Sequence, residues 1–89
     1  MTDLRGTIKA IDFENNNGND KKVVHLEISS HQILFIEFQG QSTELVKPIH
    51  LGKKVEIKIL YRGKVSKIGR KYNNIIGKSI NTIENGSKN

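Results

Sequence analysis

Cysteine is absent from the chain, which excludes disulfides, thiolate metal sites and a cysteine nucleophile. Tryptophan is absent too, and Phe and Tyr together supply only three and two rings. Any surface built on aromatic stacking must therefore use very few residues. No apolar run approaches the roughly 18 residues that cross a bilayer as a helix, and the opening "MTDLRGT" has no secretory apolar stretch. The expectation is a soluble cytoplasmic protein without a membrane partner. His25, His31 and His50 have no metal-ligand spacing. No Ser/His/Asp set or carboxylate pair stands out. "GKK" at Gly52–Lys54 lacks the upstream glycine and the Ser/Thr of a phosphate-binding loop. Neither an enzyme nor a cofactor or metal site is expected.

Acidic residues are scarce in one half only. Residues 1–44 hold four basic and seven acidic side chains, whereas residues 45–89 hold eleven and two, within a net charge of +6. Such asymmetry is the electrostatic footprint of a chain that meets phosphates or another polyanion. It peaks in "YRGKVSKIGRKYNN", residues 61–74, with Arg62, Lys64, Lys67, Arg70 and Lys71 and no carboxylate.

The chain reads as strands almost throughout. "GTIKAIDF" is β-branched and apolar and ends at "ENNNGND", a loop around Gly18. "KKVVHLEIS" alternates, with Val24, Leu26 and Ile28 on one face. "SSHQ" is a short hairpin connection. "ILFIEFQG" puts Leu34, Ile36 and Phe38 on one face, and Ile33 and Phe35 on the other. In "QSTELVKPIHLG", Ser42 or Thr43 is a candidate cap for a short helix that Pro48 limits to two turns or fewer. "KKVEIKILYR" turns Val55, Ile57, Ile59 and Tyr61 inward, and "YNNIIGKSINTI" forms a last strand with a bend or bulge at Gly77. Phe13 and Phe38 are assigned to the core.

Five strands with a short helix between the third and fourth are the layout of an OB-fold, a small all-β Greek-key barrel. One such domain is expected over residues 1–84, followed by a flexible tail at 85–89. Ligands of this fold lie on the outer face of strands two and three, between the loops joining strands one to two and four to five. The basic stretch is the second of these loops, with Lys58 extending it along strand four.

"IEFQGQSTELVKPIHLGKKVEIKILYRGK" resembles the middle of the bacterial single-stranded DNA-binding protein family, with Gly40, Gly52, Val55, Ile57 and Arg62 as the matching points. The chain is also similar, over about residues 4–83, to short bacterial proteins assigned the same fold, through "GTI", "KKVVHLEI" and "GRKYNNIIGKSI". The resemblance implies non-sequence-specific binding of single-stranded DNA, with RNA less favoured, in replication, repair or recombination. It departs from the family at Gln39, where an aromatic usually precedes the glycine, and in lacking the family's acidic, phenylalanine-ended tail.

On this reading Lys58, Arg62, Lys64, Lys67, Arg70 and Lys71 pair with phosphates, and Tyr72 stacks from the base of the loop. Phe35 either stacks a base or packs in a subunit interface. A homodimer or higher homo-oligomer is expected, because a lone domain with few rings gains affinity by multivalent contact. The alternative is an OB-fold adaptor of the primosome or secretion type, docking proteins through Ile33 and Phe35.

Overall fold

The alternation of the strands gives each one an apolar inward face, and those faces are buried by curling the sheet on itself. The computed structural model describes residues 2–83; the expected tail at 85–89 lies outside them. Five strands, β1 (Thr2–Asn16), β2 (Asn19–Ser29), β3 (Gln32–Gln39), β4 (Lys54–Val65) and β5 (Lys71–Thr82), close a barrel in the order β1-β2-β3-β5-β4. All neighbours are antiparallel except β3 and β5, which run parallel. This is an OB-fold-like Greek-key barrel. Closure removes the free edges that so short a sheet would otherwise expose.

β1 is long enough to serve two neighbours. Thr2–Thr7 pair with β4, and Thr7–Asn16 pair with β2. The change of partner coincides with a register shift between Ile8 and Ala10, a bulge that lets the strand turn the corner. Inside lie Ile8, Val24, Leu26, Ile36, Phe38, Val46, Val55, Ile57 and Ile59, all essentially without solvent contact. Most of them are the alternating positions of β2, β3 and β4.

The segment after β3 is a pair of 3-10 helices, Gly40–Leu45 and Pro48–His50. Neither Ser42 nor Thr43 caps them. The first helix starts at Gly40, and the Thr43 hydroxyl donates back to the Gly40 carbonyl at 2.8 Å. Thr43 and Val46 are buried, so this segment plugs one mouth of the barrel. Lys22 reaches the same mouth, where its ammonium donates to the Val46 carbonyl at 2.6 Å.

Three inward assignments fail, each for a local reason. Ile28 falls in a register shift between Glu27 and Ser29, and the bulge turns it out to solvent. Phe13 keeps the inward phase but sits on the β1–β2 hairpin beyond the core, and is 62% exposed. Tyr61 likewise continues the Ile57–Ile59 face past the end of the barrel and is exposed. "ENNNGND" is not an open loop either. Pairing runs to Asn16–Asn19 around a two-residue Asn17-Gly18 turn with positive φ at both positions.

His50 carries a pH dependence. Its Nδ1 accepts the Lys47 backbone N–H at 3.0 Å, and burial first, then the Lys47 charge, push its pKa below the ordinary 6.5. The neutral ring is therefore the folded form. Stability is full above pH 6.5 and declines as pH falls through the depressed folded value. Urea midpoints measured across this range should fall toward acid, and His50→Gln should flatten the decline.

Candidate nucleic-acid interface

β4 and β5 are longer than the barrel needs. The last β1–β4 pair is Thr2 with Ile59, and β3 meets β5 at Glu37–Ile76. From Leu60 to Ile75 the two strands pair, among the described residues, only with each other, in unbroken register from Leu60–Ile76 to Val65–Lys71. The result is a projecting two-stranded arm. The molecule is 53 Å long against 26 and 23 Å in its other dimensions, consistent with that projection.

The expected basic loop is thus mostly strand, and only Lys67, Ile68 and Gly69 form the turn. The Gly69 N–H donates to the Ser66 carbonyl at 2.9 Å, and the Ser66 N–H to the Arg70 carbonyl at 2.8 Å. The Ser66 hydroxyl accepts the Arg70 N–H at 3.1 Å. Gly69 has φ of +84°, the left-handed position that closes a three-residue hairpin loop and that a side chain would strain. The tip is therefore a hydrogen-bonded turn.

Alternation sorts the arm into two faces. Arg62 and Lys64 share the outer face with Asn74, and Ser66 and Arg70 continue it. Tyr61, Gly63 and Val65 share the other face with Ile75, Asn73 and Lys71. Arg62, Lys67, Arg70 and Lys71 are exposed and Lys64 is half-buried. Among the described residues, none of these five cations is in an ion pair. No carboxylate intervenes between Glu56 and Glu84, so the arm carries an uncompensated charge of one sign.

The outer face of β2 and β3, the expected ligand surface of the fold, is different. Asp12, Glu14, Glu27 and Glu37 stand on or beside it. Lys21 lies 3.4 Å from Glu14 and 3.8 Å from Glu37, and Lys9 is 4.0 Å from Glu27. Its cations are thus engaged by carboxylates. Lys58 is exposed and outward, but Asp3 sits opposite it across the β1–β4 ladder. The structure therefore gathers the five arm cations, with Lys58 below them on the same outer face of β4 but on the barrel.

Phe35 is on the outer face of β3, 57% exposed. Its ring meets His25 edge to face, with centroids 4.9 Å apart at 87°. His25 Nε2 is itself 2.7 Å from an Asp12 oxygen. This chain of contacts fixes the Phe35 ring while leaving it open to solvent. Because Glu37 pairs with Ile76, and Ile76 with Leu60, the outer face of β3 runs on to the outer face of the arm. Ile76 is buried yet stands outside the core cluster, as an outward residue covered by its neighbours would. Tyr72 pairs with Lys64 along the backbone; its side chain lies outside the described residues.

Tyr61 is an exposed ring on the arm, where strand periodicity alone turns it inward to the core or the barrel rim. The missed signal is length. The fourth apolar position in phase lies one step beyond what a barrel strand of this size covers. No family model and no curated protein matches the chain.

Proposed function

We propose that this chain is a non-sequence-specific single-stranded DNA-binding protein that acts in replication, repair or recombination. The carrying observation is the arm, with five cations, none in an ion pair among the described residues, and no carboxylate between Glu56 and Glu84. Lys and Arg displace the counterions condensed on a phosphate backbone, so such a surface binds without reading sequence and weakens with salt. Phe35 adds a stacking surface for one base, since every base offers a π-face. The carboxylates around Phe35 repel phosphate, which assigns backbone contact to the arm and base contact to the sheet. A homo-oligomer suits this division, because each copy contributes few contacts. Fluorescence anisotropy with labelled oligo-dT at low salt tests the proposal. Micromolar or tighter affinity is expected, and the absence of binding refutes it.

Phe35→Ala is expected to weaken oligo-dT binding by about 5- to 150-fold, the loss of one base stack at roughly 1–3 kcal/mol. Melting temperature should stay within a few degrees, because the ring is largely outside the core. A second reading rests on Ile33 and Leu60, exposed on the same outer surface as Phe35. These three, with Glu37 between Phe35 and Leu60 along the ladder, make an interrupted apolar strip suited to a protein partner or a second copy. If Phe35→Ala leaves oligo-dT affinity intact but abolishes self-association in sedimentation, the strip is an interface.

A further inference from the structure

Among the described residues, Ile68 is the most exposed of the large apolar side chains, at 83%. It stands in the middle of the three-residue turn, where Asn, Asp, Ser or Gly would usually serve. Scattered surface hydrophobics are ordinary, but this one has particular surroundings. It is held at the end of the arm by the Ser66–Gly69–Arg70 hydrogen bonds, with Lys67 beside it and Arg70 two residues on. An apolar tip flanked by cations has the chemistry of side chains that wedge between stacked bases while neighbouring charges hold the phosphates.

The arm's charge is also two-sided. Arg62 and Lys64 point from one face, and Lys71 from the other. Beside Lys71 is a shallow hollow of about 300 Å³ lined by Gly63, Lys64, Val65, Lys71 and Asn73. Nothing in the fold demands glycine at 63. Its backbone is not in the positive-φ region, and a β-carbon there would meet only Asn73 Oδ1, at 3.6 Å. A bare strand position of this kind suits close approach by a ligand backbone. A surface that tracks one strand needs cations on one face; cations on both faces suit a place where two phosphate backbones diverge.

We propose that the arm recognises the junction between single-stranded and duplex DNA, with Ile68 packed on the terminal base pair. Lys67 and Arg70 hold the phosphates of the parting strands. The released single strand follows the outer face, along Arg62 and Lys64, toward Phe35. At about 3.3 Å per residue the stretch from Tyr61 to Ile68 is roughly 20 Å long, enough to separate the terminal pair from the ring by several nucleotides. This inference rests on the reading of the arm as a nucleic-acid surface and adds the structure of the nucleic acid that it prefers.

The test uses the full chain with three labelled DNAs: oligo-dT, a blunt duplex, and the same duplex with a single-stranded tail. 2-Aminopurine occupies the terminal pair of the tailed duplex. The tailed duplex should bind about tenfold tighter than oligo-dT, a difference near 1.4 kcal/mol, and 2-aminopurine fluorescence should change on binding. Ile68→Asn, a residue suited to the turn, should retain oligo-dT affinity and melting temperature while losing both the preference and the fluorescence change. Equal affinity for tailed duplex and oligo-dT, or an Ile68→Asn variant identical to the parent, overturns the junction proposal and leaves single-strand binding standing. Binding of the tailed duplex with the fluorescence change but without oligo-dT binding supports the wedge and overturns the single-strand reading. Failure to bind all three overturns both.

Discussion

Gly77→Ala is expected to lower the melting temperature by roughly 12–24 °C. A β-carbon at Gly77 would lie 2.6 Å from Cε1 of Phe38 and closer still to Cζ and Cε2. Phe38 has no exposed surface, and its neighbours Ile36, Val46 and Ile59 are as fully enclosed. To make room, the ring has to push on side chains that are themselves enclosed. Overpacking a filled core costs about 1–3 kcal/mol, and the overlap here places the substitution at the upper end. For a domain of this size each kcal/mol moves the midpoint by about 4–8 °C.

The bulge explains why a glycine stands there. Lys58 pairs with Ser79 but Ile59 pairs with Gly77, so Lys78 is an extra residue that bends β5 over the Phe38 ring. Adding Phe38→Leu to Gly77→Ala should recover part of the loss, because the two substitutions share one space and are not additive. Gly63→Ala is the control, with ordinary contact to Asn73 and little or no destabilisation expected. A Gly77→Ala protein that melts with the parent in circular dichroism would contradict this packing.

Period-two alternation made most of the barrel legible. Val24, Leu26, Ile36, Phe38, Val55, Ile57 and Ile59 occupy the interior as their spacing requires, and Gly77 marks the bulge in β5. Alternation fails where the strand outruns the body it packs against. Phe13 and Tyr61 keep the inward phase but have no core left to meet. It also fails at Ile28, because a bulge changes the phase without any residue type announcing it.

The cations of the candidate site could be read directly, since charge is a property of composition. Their setting could not. Whether "YRGKVSKIGRKYNN" is a slack loop or a paired arm depends on how far β4 and β5 hold register past Ile59, which is decided by cross-strand pairs such as Val65–Lys71 and by the Ser66 hydroxyl at the turn. The carboxylates that neutralise the sheet face were equally hidden. Asp12, Glu27 and Glu37 come from three strands, and only the barrel brings them around Phe35.

The combined reversal Arg62→Glu, Lys67→Glu and Arg70→Glu should have the largest effect on binding. Each phosphate contact on a single strand contributes about 0.7 to the slope of log K against log salt, so removing three should flatten that slope by roughly 2. At about 0.1 M salt an affinity loss of at least ~100-fold is expected, since repulsion replaces attraction at three sites. Folding should be unaffected, because the three side chains are exposed and engaged in no ion pair among the described residues. Lys58→Glu should cost far less, as Lys58 lies on the barrel below the arm, opposite Asp3 in the β1–β4 ladder. A Lys58 effect equal to that of the triple variant would mean that the charge of the whole chain, not the arm, attracts DNA.

Everything proposed for this chain's function requires the arm to be a phosphate-binding surface. The direct measurement is the affinity of the unaltered protein for labelled oligo-dT over a series of salt concentrations. With five arm cations each neutralising a phosphate, log K should fall against log salt with a slope of about −3 to −3.5. A slope near zero, or no binding at the lowest salt, would contradict it.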